Sequence, residues 1–193
     1  MPPDKARPLR ADAKINYDRL IEAASRAFAR EGPEASLKGI AKDAGVGIGT
    51  LYRRFPARDR LIEATYRDEV ARLCAAAPEL LETLPPAEAL RDWMDRMVDF
   101  MVTKHKMAPA LRTVLISDGD QRMRTRDLLT GAVATLLAAG VADKTVRPDI
   151  DPDDVLMSVG GVVLIAGEPD QRDQAGRLLD LLLDGLRYRR NPT

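Results

Sequence analysis

Residues 44–55 read AGVGIGTLYRRF, with three glycines at alternate positions running into Tyr-Arg-Arg-Phe. Two readings compete for such a stretch. A glycine loop that cradles a dinucleotide pyrophosphate follows a strand and keeps the order G-x-G-x-x-G. Here Gly45 and Gly47 fill the first two places, but Thr50 holds the third, and the preceding LKGIAKDA has helical spacing. A phosphate-binding P-loop fails too, because no Gly-Lys-Ser/Thr follows. What remains is a tight turn between two short helices. It either links two core helices or aims the second of them at something larger.

The flanks supply the context. From Ile15 onward, Tyr17, Leu20, Ile21, Ala24 and Phe28 recur on one helical face, and Gly32-Pro33 predicts its end. Ser36 stands as the N-cap of a second helix whose Leu37, Ile40, Ala41 and Ala44 follow the i, i+3, i+4, i+7 spacing. Gly45 suits a left-handed turn. A third helix then runs from about Ile48 to Phe55, stopped by Pro56. Asp59 opens a fourth, with Leu61, Ile62, Thr65, Val70 and Leu73 facing inward. This succession is the outline of a helix-turn-helix.

Farther on, Pro78 and Leu-Pro-Pro at 84–86 punctuate the passage into a second helical region. Leu90, Trp93, Met94, Met97 and Met101 mark a helix reaching about Lys106, a further helix covers 108–117, and SDGD makes a turn. A longer helix carries Leu128, Leu129, Val133, Leu136 and Leu137 inward and stops at Gly140. In RPDIDPDD, Asp151 reads as an N-cap with Pro152 at the first helical position. Two apolar helices, 155–167 and 174–190, end the chain. No segment alternates as a strand. The fold class is all-α, with about nine helices.

The 193 residues carry no net charge, yet residues 1–60 hold thirteen Lys/Arg against eight Asp/Glu and the remainder seventeen against twenty-two. A basic first third joined to an acidic remainder points to an anionic partner at one end. A single cysteine, Cys74, rules out an internal disulfide. No apolar run is read as a membrane span, and the N-terminus lacks the apolar core of a secretory signal, so a cytoplasmic protein with no membrane partner is expected. A helical enzyme is the rival from another class. His105 is the one histidine, so neither a metal cluster nor a Ser-His-Asp set can be assembled. Asp149, Asp151, Asp153 and Asp154 lack the glycine and terminal Glu of a calcium loop, and capping explains them. No cofactor is expected.

LIEAASRAFAREG, IAKDAGV and GTLYRRFPARDRLIEA together resemble the DNA-binding domain of the TetR family of bacterial transcription regulators, over about Leu20 to Tyr66. The second region matches in length and helical character. The resemblance implies a mobile arm over 1–13, a helix-turn-helix DNA-binding domain over 14–57, and an effector-binding and dimerisation domain over 58–193 that begins with a connecting helix, 58–76. It implies a homodimeric repressor bound to a palindromic operator in double-stranded DNA and released by a small apolar or amphipathic effector. The third helix would enter the major groove with Gly47, Ile48, Gly49, Thr50, Tyr52 and Arg53, while Leu51 and Phe55 face inward. Ser36, Lys38 and Arg58 would hold phosphates, and Arg7, Arg10 and Lys14 would add contacts from the arm. Gly47 stands where the family often has Ser, and Ile48 where it has a polar residue. Trp93, Met94, Met97, Phe100, Met101, Met107 and Met123 line either an effector pocket or a plain core. Val155, Val159, Val162, Val163, Leu178, Leu179, Leu182 and Leu186 either form a two-fold contact or complete the monomer core. A protein-interaction module of the same fold, without operator binding, is the remaining alternative.

Overall fold

A computed structural model describes the backbone of residues 6–106, 111, 119–165 and 171–187, and the side chains of 14–104, 111, 123–164 and 171–187. Among these residues there are eight helices: α1 (Ala6–Glu31), α2 (Leu37–Asp43), α3 (Ile48–Arg54), α4 (Arg58–Thr83), α5 (Pro86–Lys106), α6 (Gly119–Ala142), α7 (Pro152–Ile165) and α8 (Arg172–Leu186). Of the helix expected over 108–117, residue 111 alone is described, and it is helical and buried. The described chain divides into two compact units, one with residues 6–69, 106 and 111, the other with 70–105, 119–165 and 171–187.

In the first unit, Leu20, Ile21, Ala24 and Phe28 of α1, Ile40 and Ala41 of α2, Leu51 of α3, and Leu61, Ile62 and Thr65 of α4 are all buried. The i, i+3/i+4 spacing places them on single faces, and α1 packs on α2 and α2 on α3. Thr65 satisfies its hydroxyl within its own helix, donating to the Leu61 carbonyl at 2.8 Å. The expected boundary between residues 57 and 58 falls later, at Glu69, because the first half of α4 belongs to this core. The Ser25 hydroxyl, which donates to the Glu69 carboxylate, ties that half to α1.

Three further expectations are corrected. Helix α1 starts at Ala6, so residues 6–13 continue it as helix and are not a separate arm. Ala, Leu and Arg favour this, and Pro8 falls in the first turn, where backbone N–H groups have no helical partner anyway. Pro78 does not interrupt α4, which runs through it to Thr83. An interior proline costs about 3 kcal/mol, but Leu73, Ala76, Ala77 and Leu80 are buried on either side of it, and breaking the helix would forfeit that packing. Leu128 is 57% exposed, whereas its neighbour Leu129 is buried with Val133, Leu136 and Leu137.

The second unit is built around α5, α6, α7 and α8, with α7 packed on both α6 and α8. Within α6, Met123–Ala142 is long and apolar enough by composition to cross a membrane, although no such run was expected. One face of it, with Leu129, Ala132, Val133, Leu136 and Leu137, is buried in the second unit. On α5, Arg91 donates from Nε to Asp180 at 2.6 Å and from Nη2 to the Gly176 carbonyl at 3.1 Å, and it also pairs with Asp95. Arg172 joins Asp95 at 2.9 Å and Asp99 at 3.1 Å. These contacts pin the start of α8 to α5. Asp151 caps α7 by accepting from the Asp153 N–H at 2.8 Å, as its position before Pro152 predicts. Val146 and Arg187 form an isolated antiparallel bridge, closed by the Arg147 N–H on the Leu186 carbonyl at 2.9 Å.

Among the described glycines, Gly140 at the end of α6 has the tightest surroundings. A Cβ added to Gly140 would lie 2.5 Å from Val146 Cγ2 and 2.9 Å from Val146 Cβ, and valine is stiff and here fully buried. Gly140→Ala is expected to lower stability by about 1–3 kcal/mol, measured by urea unfolding. Adding Val146→Ala should recover part of the loss, and strict additivity would show that the two residues do not collide.

Candidate nucleic-acid interface

The interface is set by how α2 stops and α3 starts. Ser36 caps α2, its Oγ accepting from the Gly39 N–H at 3.2 Å. At the other end the Val46 N–H reaches the Ala41 carbonyl at 2.9 Å and the Gly45 N–H the Lys42 carbonyl at 3.0 Å. This is a Schellman closure, and it requires the left-handed φ of 69° that Gly45 adopts. Gly47 is extended (φ −69°, ψ 145°) and acts as the N-cap of α3 with no side chain to offer. Leu51 and Phe55 are buried, at 1% and 6% exposure, and lock one face of α3 onto the first unit.

The opposite face is free. Ile48 is 39% and Tyr52 50% exposed. Gly47, Gly49 and Arg53 are exposed, and Thr50 is half-buried, accepting a long hydrogen bond from Arg53 Nη2 at 3.4 Å. Of the six residues expected to face the groove, five are exposed and Thr50 is half-buried, while Leu51 and Phe55 pack inward. Ser36 and Lys38 are exposed at the start of α2, and the Ser36 hydroxyl, which accepts from Gly39, can still donate its proton. Lys14 is exposed on α1, while the side chains of Arg7 and Arg10 lie outside the described residues.

Arg58, expected at a phosphate, makes contacts within the unit. Its Nη1 donates to the carbonyls of Pro33 and Ala35, both at 2.7 Å, so it holds the loop that leads into Ser36. Arg54 lies 4.9 Å from the centroid of the Tyr17 ring, and Tyr17 in turn meets Phe55 at 5.7 Å. That cation–π contact covers the rim of the core. Neither role leaves a periodic signal, since both depend on residues brought together from distant positions.

Residues 20–65 match the family described as bacterial regulatory proteins, tetR family, and residues 85–188 match the C-terminal domain of SbtR-like transcriptional regulators. The solved structure of the TetR transcriptional regulator SCO0520 from Streptomyces coelicolor is 50% identical, with a TM-score of 0.83 over 90% of this chain and 99% of that one. The chain belongs to the TetR family. A TetR regulatory protein from Mycobacterium vanbaalenii is 32% identical with a TM-score of 0.70, covering 93% of this chain and 99% of that one. The transcriptional repressor KstR2 of Mycolicibacterium smegmatis is 27% identical over 188 residues, 88% of this chain and 89% of that protein. This TetR-family chain is therefore a helix-turn-helix, DNA-binding transcription regulator and not an enzyme.

The two residue sets read from the second region fare differently. Trp93, Met94, Met97 and Phe100 are buried, and Trp93 Nε1 donates to the Leu73 carbonyl at 2.8 Å, fastening α5 to α4. Met101 is half-buried, Met123 is 65% exposed and apart from them, and Met107 lies outside the described residues. Of the residues read as a two-fold contact, Val155, Val159, Val163, Leu179 and Leu186 are buried within the single chain, and Val162, Leu178 and Leu182 are half-buried. Among the described residues, the large exposed apolar side chains of α7 and α8 are Met157, Leu164 and Leu181. Helix α7 is apolar on nearly every side, so periodicity does not separate its inner from its outer face.

Arg53 and Arg58 provide a contrast that tests the interface. Arg58→Ala should lower the melting temperature, since losing two charged hydrogen bonds to backbone costs about 1–3 kcal/mol, and weaken DNA binding along with it. Arg53→Ala should leave melting within about 0.5 kcal/mol of the parent but reduce DNA affinity and its salt dependence, read by fluorescence anisotropy at several salt concentrations.

Proposed function

We propose that the chain acts in the cytoplasm as a homodimeric repressor of a palindromic operator, released when a small apolar or amphipathic effector binds the second unit. One observation carries the dimer. On α7 and α8, Met157 is 59%, Leu164 83% and Leu181 67% exposed, around the small residues Gly160, Gly161 and Gly185. Large apolar side chains grouped beside glycines form a surface that water disfavours and a second helix pair approaches closely. Used on both subunits it makes a two-fold contact, and two reading heads so related call for two-fold symmetric DNA. The interface thus lies one helical face away from the valines and leucines that fill the core.

The α5 side chains Trp93, Met97, Phe100 and Met101 are the proposed neighbours of the effector. Met adapts its shape to irregular apolar ligands, and its packing tolerates repacking better than a branched residue does. A coupling of about 1–3 kcal/mol between effector and DNA is enough for regulation. The repressor KstR2, similar along most of the chain, supports repression as the mode.

Leu164→Asp combined with Leu181→Asp should convert the protein to a monomer in sedimentation at micromolar concentration, while a single chain's fold, monitored by circular dichroism, persists. Operator affinity should fall by at least tenfold, because the second reading head no longer binds as part of one molecule. A dimer that survives both charges rejects this face. Trp93 is the single tryptophan and fully buried, so an effector seated on α5 should change its emission. Compounds that release DNA without altering Trp93 fluorescence would place the effector elsewhere.

A further inference from the structure

Ile48 is the first residue of α3 and is 39% exposed at the heart of the reading face. A β-branched apolar residue gains nothing there from helix propensity, and Ile48 is not among the buried core side chains. Its neighbours are shaped to leave it clear. A Cβ added to Gly47 or to Gly49 would meet nothing within 4 Å, so the space beside each of these glycines is open. One turn on, Tyr52 stands on the same side of the helix with half its surface exposed. Thr50 and Arg53 are linked to each other through the 3.4 Å hydrogen bond, which leaves Ile48 and the Tyr52 ring as the apolar surface of the face.

Base edges in the major groove present one apolar group, the C5-methyl of thymine. Cytosine, adenine and guanine offer donors and acceptors that an isoleucine would strip of water without replacing. We infer that Ile48 reads a thymine by enclosing its C5-methyl group, with the Tyr52 ring closing the contact on one side. Gly47 and Gly49 serve this by letting the backbone of α3 come close enough for a short, branched side chain to reach the base. Hydrogen-bond readout is left to Thr50 and Arg53. This inference rests on α3 being the helix that enters the groove.

The full-length protein would be used to select duplexes from a randomised pool, and each thymine of a selected duplex replaced singly by deoxyuridine. That exchange removes the methyl group and leaves the hydrogen-bonding edge intact. At one thymine in each bound half-site, the exchange should weaken binding about fourfold, the worth of one buried methyl group. Ile48→Ala should bind the thymine duplex more weakly and lose discrimination at that position alone. Ile48→Val should keep part of it. Because Ile48 is exposed at the start of α3, Ile48→Val should melt with the parent and Ile48→Ala should remain fully folded at the binding temperature, which circular dichroism checks. Indifference to deoxyuridine at every thymine, or undiminished discrimination by Ile48→Ala, overturns the inference while leaving DNA binding intact. A pool that yields no duplex above background overturns the inference together with the placement of α3 in the groove.

Discussion

At Gly45 the backbone turns left-handed, and two hydrogen bonds, from Val46 to Ala41 and from Gly45 to Lys42, close the end of α2 in the same few residues. The position of the reading helix depends on this closure. A residue with a Cβ would strain that φ by about 1–2 kcal/mol, and any relaxation would rotate the start of α3 away from its seat. Leu51 and Phe55 then take hold from below, so that the direction of α3 is fixed at its entry by backbone and along its length by packing. A short helix of seven residues has little stability of its own. It is helical because it is held.

The support extends beyond α3. Arg58, from the first turn of α4, grips the Pro33 and Ala35 carbonyls and thereby orients the loop that delivers Ser36 to the start of α2. Arg54 lies on Tyr17, which meets Phe55, so the last turn of α3 is covered by α1. Two arginines that composition would assign to DNA are thus used, at least in part, to stiffen the platform. Preorganisation of this kind lowers the ordering cost when the interface meets its partner.

The second unit is organised by a different balance. Its helices are largely apolar, and the polar links sit at the edges, where Arg91 and Arg172 gather Asp95, Asp99, Asp180 and the Gly176 carbonyl. Apolar packing alone permits helices to slide or rotate with modest loss, whereas directional charge contacts between α5 and the start of α8 select one arrangement. Gly140 adds a steric lock, since only a glycine lets Val146 lie against the end of α6.

The sequence by itself determined the all-helical class, the helix-turn-helix and its family. Those features are local: Ser36 before an apolar stripe, Gly45 at a forced left-handed turn, and Gly32-Pro33 at a helix end each act within one or two turns of chain. The inward side of α3 was legible for the same reason, because Leu51 and Phe55 carry its apolar spacing. Other features waited for the tertiary structure. Pro78 inside α4, the carbonyl contacts of Arg58 and the cover over Tyr17 all depend on residues far apart in the chain. On α7, apolar residues occur on every side, and only packing against α6 and α8 decides that Val155 and Val159 face in while Met157 and Leu164 face out. Periodicity identifies a face only when the faces differ in polarity. Where they do not, the neighbours choose.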